Sequence, residues 1–128
     1  MSKEYNTLIK KSISSMDFSY APFSKFKVGA ALLTKSGKIF SGSNIECASY
    51  SLTICAERVA AVKAISEGEN NFIAIAISNN KNELVFPCGA CLQFLMEFSP
   101  NLKIILIQSE KKFKVFKLKE LLPKNFTL

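Results

Sequence analysis

The 128-residue chain contains no histidine and no tryptophan, a single arginine among its seventeen basic residues, and only five glycines and four prolines. Without an imidazole, hydrolases built on Ser-His or Cys-His pairs are excluded, and any zinc site has to be assembled from thiolates and carboxylates. The scarcity of glycine and proline, set beside 48% hydrophobic and 21% charged residues, excludes the disordered and low-complexity classes. No window approaches the roughly 18 apolar residues of a membrane span. Met1 to Ser12 carries no apolar block of the signal-peptide kind. The expectation is a cytoplasmic protein with no membrane partner, one domain over residues 1–128, large enough to bury a core without staples.

What is present in excess is lysine. The net charge is +7, and from Asn101 to Leu128 seven lysines face only Glu110 and Glu120. Such a basic end suits either a nucleic-acid surface or a strand edge protected against pairing, and the edge is the reading preferred here, with no nucleic-acid partner. Four cysteines without an export signal point away from a disulfide framework and toward metal binding or catalysis.

Periodicity orders the chain. Tyr5, Leu8, Ile9, Ser12, Ile13 and Met16 recur at helical steps over Glu4–Asp17. Phe26, Val28, Ala30 and Leu32 then alternate with their neighbours, and after Thr34-Lys35-Ser36-Gly37 a second extended run, Lys38–Ser41, completes a hairpin. Cys55–Glu67 suits a buried helix closed by Gly68, and Phe72–Ile77 has strand length. Gly89–Phe98 reads as a second buried helix ended by Ser99-Pro100. Lys103–Gln108 and Lys112–Leu118 are strands, with a helical turn near Glu120–Leu122. Strands alternating with helices predict an α/β fold, a three-layer α/β/α sandwich on a mixed five-stranded sheet. Its third and fourth strands are parallel through a helix crossover. About four residues separate the last two strands, too few for a parallel return, so that pair is antiparallel.

The chemistry gathers at two helix starts, Cys55-Ala56-Glu57-Arg58 and Pro87-Cys88-Gly89-Ala90-Cys91. Cys-x-x-Cys at a helix N-terminus aims two sulfurs one way, where exposed N–H groups lower thiol pKa. Alone, that pair suits zinc and a thioredoxin-like redox couple equally, and Cys55-Ala56-Glu57 alone carries little meaning. Together, with the two helices packed side by side, three thiolates converge and leave a fourth tetrahedral position open, as in a catalytic zinc site. Glu57 lies two residues past Cys55, within reach of that position without being a ligand. Cys47 reads as a packed small residue.

These residues have a family likeness. Pro22 to Leu33, Asn44-Ile45-Glu46-Cys47-Ala48-Ser49-Tyr50, Cys55-Ala56-Glu57-Arg58 and Pro87-Cys88-Gly89-Ala90-Cys91-Leu92-Gln93, in this order, closely resemble the small homotetrameric cytidine deaminases, from about Tyr20 to Phe126. The resemblance implies one Zn²⁺ per chain held by Cys55, Cys88 and Cys91. It implies hydrolytic deamination of cytidine and deoxycytidine, as in pyrimidine salvage, with Glu57 passing protons to ring N3 and the departing amine. It also implies that Arg58 donates to the ligand sulfurs, its fork offsetting the net negative charge of three thiolates on a dication.

The same resemblance makes Asn44 and Glu46 binders of the ribose hydroxyls, sets Phe26 and Ala56 at the base, and carries Phe126 to a neighbouring subunit's site, so that the active unit is a tetramer. A plainer reading makes Asn44 a turn former and Phe26 a strand core position. Glu46 would repel a phosphate, which favours a free nucleoside. Two departures stand out: Leu92, where relatives often carry arginine, and an end at Leu128 that leaves little chain beyond Phe126. A blasticidin-type deaminase would share the zinc chemistry, but Asn44-Ile45-Glu46 and Ala48-Ser49-Tyr50 favour cytidine. A non-catalytic zinc module would have no use for Glu57.

Overall fold

A computed structural model describes residues 3–128, with side chains from Tyr5 onward. Met1 and Ser2, which the sequence reading places in the same domain, lie outside the described residues. Five strands, β1 (Val28–Thr34), β2 (Ile39–Ser43), β3 (Phe72–Asn79), β4 (Lys103–Ser109) and β5 (Lys112–Lys117), form one sheet in the order β2-β1-β3-β4-β5. The β3–β4 pair is parallel and the β4–β5 pair antiparallel, as the connection lengths require. Helix α1 (Lys3–Ser15) covers one face; α2 (Ala56–Ser66) and α3 (Gly89–Phe98) cover the other, and a short α4 (Leu118–Leu121) follows β5.

Both faces are buried, so the central strands are apolar throughout rather than alternating. From Gly29 to Thr34 every residue of β1 is buried. Leu8 and Ile9 of α1 pack on Ala31, Leu33, Ala76, Ile105 and Ile107, while Ala60, Ala61, Leu92 and Leu95 pack on Leu32, Ile75, Ile104 and Leu106. Two glycines let helices lie directly on the hairpin from opposite sides. A Cβ on Gly29 would stand 2.0 Å from the Ser12 carbonyl oxygen of α1, and one on Gly42 would stand 2.4 Å from the Ala56 carbonyl oxygen of α2. The second contact fixes the end of α2 that carries the chemistry.

Element bounds shift in places, each for a physical reason. The first helix stops at Ser15, where buried Ser12 and Ser15 hydroxyls bond back to the Ile9 and Ser12 carbonyls, and Met16–Phe18 finish as a 3₁₀ turn. The expected hairpin strand does not include Phe26: Lys25 has φ 61°, the left-handed region, and β1 begins only at Val28. Strand β3 runs on to Asn79 because Val28 pairs with it. The last helical turn lies at Leu118–Leu121 rather than Glu120–Leu122, because the Glu120 carboxylate accepts the Lys117 N–H and starts the turn earlier.

Candidate active site

Both β2 and β3 run antiparallel to β1, so they run the same way, and the helices that follow them start at the same edge of the sheet. Cys55 caps α2 and Cys88 caps α3, each in extended backbone, so neither is the helix's first residue. The Cys88 sulfur accepts the Cys91 N–H at 3.4 Å, which turns Cys91 inward to full burial in the first turn of α3. The sulfurs of Cys55, Cys88 and Cys91 thus meet with all separations within 4.8 Å, and Cys55 to Cys88 is 3.8 Å. Zn–S bonds of about 2.3 Å in a tetrahedron set sulfurs roughly 3.8 Å apart.

The electrostatics also ask for a cation. A hydrogen bond from the Cys91 thiol, with help from Arg58, holds Cys55 down at about 5 against the opposing effect of burial. Cys91 gives its proton toward Cys55 and is buried, so its own pKa is pushed up. Three sulfurs this close cannot all ionise unless a positive charge sits among them, which is what a zinc ion supplies. Arg58 provides part of it: one terminal nitrogen donates to the Cys55 sulfur at 3.9 Å, while its Nε is buried without a partner. Cys47 is outside the group; its backbone N–H donates to the Thr53 hydroxyl.

Beside the sulfurs opens a cleft of about 210 Å³ whose walls are largely apolar, formed by Phe26, Val28, Ile54, Ile77, Val85 and Phe86. Cys55, Ala56, Glu57, Cys88, Asn44 and Asn79 line it as well. Glu57 is 5% exposed, and burial raises its carboxyl to about 7, with the neighbouring Cys55 thiolate adding to the rise. A carboxyl poised near neutrality can both take and give a proton.

Of the other expected site residues, Glu46 lines a different hollow, Phe126, expected at a neighbouring subunit's site, lies outside the cleft of its own chain, and Asn44 is bonded to the backbone of the cleft wall. Glu46 lines a neighbouring hollow with Phe23, Ser24, Tyr50 and Thr53, of which only Thr53 also touches the cleft. Its carboxylate accepts the Phe23 and Ser24 N–H groups at 3.0 and 3.1 Å and the Ser24 hydroxyl, and that hydroxyl chiefly holds its pKa below the usual range. Phe126 lies on α3, its backbone N–H and carbonyl gripped by the Gln93 amide at 2.9 and 3.0 Å and its side chain 69% exposed. Asn44 reaches the cleft but braces its wall: its oxygen accepts the Val28 N–H and the Ser19 hydroxyl, and its nitrogen donates to the Phe26 carbonyl.

Comparison with known proteins adds the remaining evidence. Residues 2–107 match the family described as the cytidine and deoxycytidylate deaminase zinc-binding region. The chain is 46% identical over 121 residues to the cytidine deaminase of Halalkalibacterium halodurans, covering 94% of this chain and 92% of that one. It is 40% identical over 126 residues to a probable cytidine deaminase of Dictyostelium discoideum, covering 98% and 85%. The crystal structure of cytidine deaminase from Burkholderia pseudomallei superposes with a TM-score of 0.90 at 40% identity, covering 98% of this chain and 100% of that one.

The chain belongs to the cytidine deaminase family. Its sheet order and antiparallel β4–β5 pair are those of a cytidine deaminase fold, and the three-cysteine cluster fits one zinc per chain. Where many cytidine deaminases were expected to carry arginine after the last ligand cysteine, Leu92 is 6% exposed and belongs to the core. Val85, Phe86, Ile54 and Asn79 join the cleft without belonging to any of the motifs above. Phe86 stands directly before Pro87-Cys88, and that adjacency was the available signal.

Proposed function

We propose that this chain is a zinc-dependent hydrolase that converts cytidine and deoxycytidine, with water, to uridine and deoxyuridine plus ammonia. The observation that carries the reading is the convergence of the Cys55, Cys88 and Cys91 sulfurs beside a cleft into which a buried carboxyl with a pKa of about 7 is built. When bound by the three sulfurs, zinc supplies the Lewis acidity that makes water a nucleophile near neutral pH. With zinc held there, Glu57 would take one proton from the water and deliver it to ring N3 as the water oxygen bonds to C4, then take that oxygen's second proton and pass it to the amine as the C4–N bond breaks. Phe26 and Phe86 flank the base, and the Ala56 backbone at the start of α2 faces its polar edge. Arg58 donates to the Cys55 sulfur and draws charge from it, which would keep three thiolates from quenching the acidity of a metal held there.

The substrate is a free nucleoside. No lysine lines the cleft, and Glu46, held ionised in the adjoining hollow, disfavours a phosphate. The basic excess is carried largely on β5 and the turns around it, where Lys112 and Lys114 are exposed at the sheet edge, which supports the protected-edge reading over a nucleic-acid groove.

The whole chain serves as one catalytic domain in pyrimidine salvage in the cytoplasm, and it acts as a homotetramer with sites at subunit interfaces. Exposed Tyr20, Phe23, Tyr50 and Leu52 beside the Glu46 hollow, and Phe126 turned outward, supply apolar surface for such contacts. Among the described residues no helix is long and apolar enough to cross a membrane.

The test follows the ultraviolet absorbance of cytidine. Protein stripped of zinc by a chelator loses turnover and regains it on addition of Zn²⁺ in proportion to bound metal; full turnover with the metal removed would refute the reading.

A further inference from the structure

At the cleft wall, Phe26 directly follows a residue in strained backbone, Lys25. It stands between Lys25, held at φ 61°, and β1, whose first sheet pairing is Val28 with Asn79, so residues 25–27 have no strand partner. A lysine in the left-handed region is disfavoured and persists only where its surroundings impose it. Asn80 imposes it. Its backbone N–H donates to the Lys27 carbonyl at 3.0 Å, its side-chain oxygen accepts the Lys27 N–H at 3.1 Å, and its side-chain nitrogen donates to the Lys25 carbonyl at 3.0 Å. One asparagine therefore clasps the residues on either side of Phe26, as a neighbouring strand would. The ammonium of the next residue, Lys81, sits 5.4 Å from the centroid of the Phe26 ring, within cation–π range. Asn79 fixes the rest of the same loop: its oxygen accepts the Lys81 N–H at 3.0 Å and its nitrogen donates to the Glu83 carbonyl at 2.8 Å, before the chain returns to the cleft as Val85 and Phe86.

The geometry points to Asn80 as the positioning residue that holds the Phe26 ring in place as a wall for the nucleoside base. This rests on the reading of the cleft as a cytidine site. Asn80 itself is exposed and does not line the cleft, so it acts on the substrate only through Phe26.

The experiment is steady-state kinetics on the zinc-loaded full chain, for Asn80→Ala, Phe26→Ala and the double variant, with zinc content and far-ultraviolet circular dichroism measured alongside. Two side-chain hydrogen bonds lost at Asn80→Ala are expected to raise KM for cytidine about tenfold, with kcat and zinc content unchanged. Phe26→Ala raises KM at least as much, and Asn80→Ala on that background adds nothing further. Asn80→Asp keeps the acceptor toward Lys27 and loses the donor toward Lys25, so its KM lies between; it is the deciding variant if the alanine form loses zinc or helical signal. Unchanged KM in the Asn80 variants while Phe26→Ala raises it, or additive effects in the double variant, would overturn the role of Asn80 and leave the cleft assignment standing. An unchanged KM in Phe26→Ala would instead remove Phe26 from the substrate wall and the role of Asn80 with it.

Discussion

A carboxyl enclosed by apolar groups holds its proton far more tightly than one in water, and Glu57 is in that position, raised to about 7 by burial beside the Cys55 thiolate. On the proposed reading the three sulfurs would complete the metal's protein donors without it, leaving its side chain to proton transfer. Glu57→Gln keeps the shape and burial of the side chain and removes only the titrating oxygen. The variant is expected to bind one zinc per chain as the parent does, and to lose roughly 10²- to 10⁴-fold in kcat. Zinc by atomic absorption and cytidine turnover by absorbance check the two halves separately. Zinc lost together with activity would make Glu57 a ligand, and near-parental kcat would remove it from the proton path.

At the scale of elements, the site exists because two helices begin at one edge of the sheet, and their exact seating depends on small residues. A Cβ on Gly42 of β2 would run into the Ala56 carbonyl and the Ala60 nitrogen of α2, so the helix that presents Cys55 and Glu57 rests closely on strand backbone. Gly42→Ala forces α2 outward, and overpacking of this kind costs about 1–3 kcal/mol. The expected result is a lower urea midpoint together with weaker zinc retention against a competing chelator. A parental midpoint would mean that α2 shifts freely, contrary to its packing.

Much of this arrangement was legible in the sequence. Gly89 and Ser99-Pro100 bracket α3, the apolar runs of β3 and β4 admit only a doubly covered sheet, and the two cysteine motifs open the two helices that follow the like-directed strands β2 and β3. What escaped depends on contacts distant in sequence. Alternation from Phe26 to Leu32 reads as one strand, because nothing local shows that Asn80, more than fifty residues on, pulls Lys25–Lys27 out of it. The hydrogen-bond partners of Glu46 at Phe23 and Ser24 likewise lie on another turn, and only coordinates bring them together.

For the whole molecule, the decisive fact is that Phe126 is outside the cleft of its own chain. The Gln93 amide fixes its backbone at two points on α3, its ring is exposed, and the residues lining the hollow there share none with the cleft. If the ring serves a site at all, that site belongs to another copy, and an aromatic stacked on the base there contributes enough to shift KM roughly three- to tenfold. Phe126→Ala is therefore expected to raise KM while leaving kcat and zinc content alone. The stronger test mixes that variant with Glu57→Gln after mild dissociation and reassociation. Chains carrying Phe126→Ala supply an intact Glu57, and chains carrying Glu57→Gln supply an intact Phe126, so mixed oligomers contain sites complete in both. Activity with parental KM should emerge in the mixture although neither variant shows it alone. A mixture whose kinetics remain those of Phe126→Ala would place the ring outside every active site and remove Phe126 from the proposed trans contact.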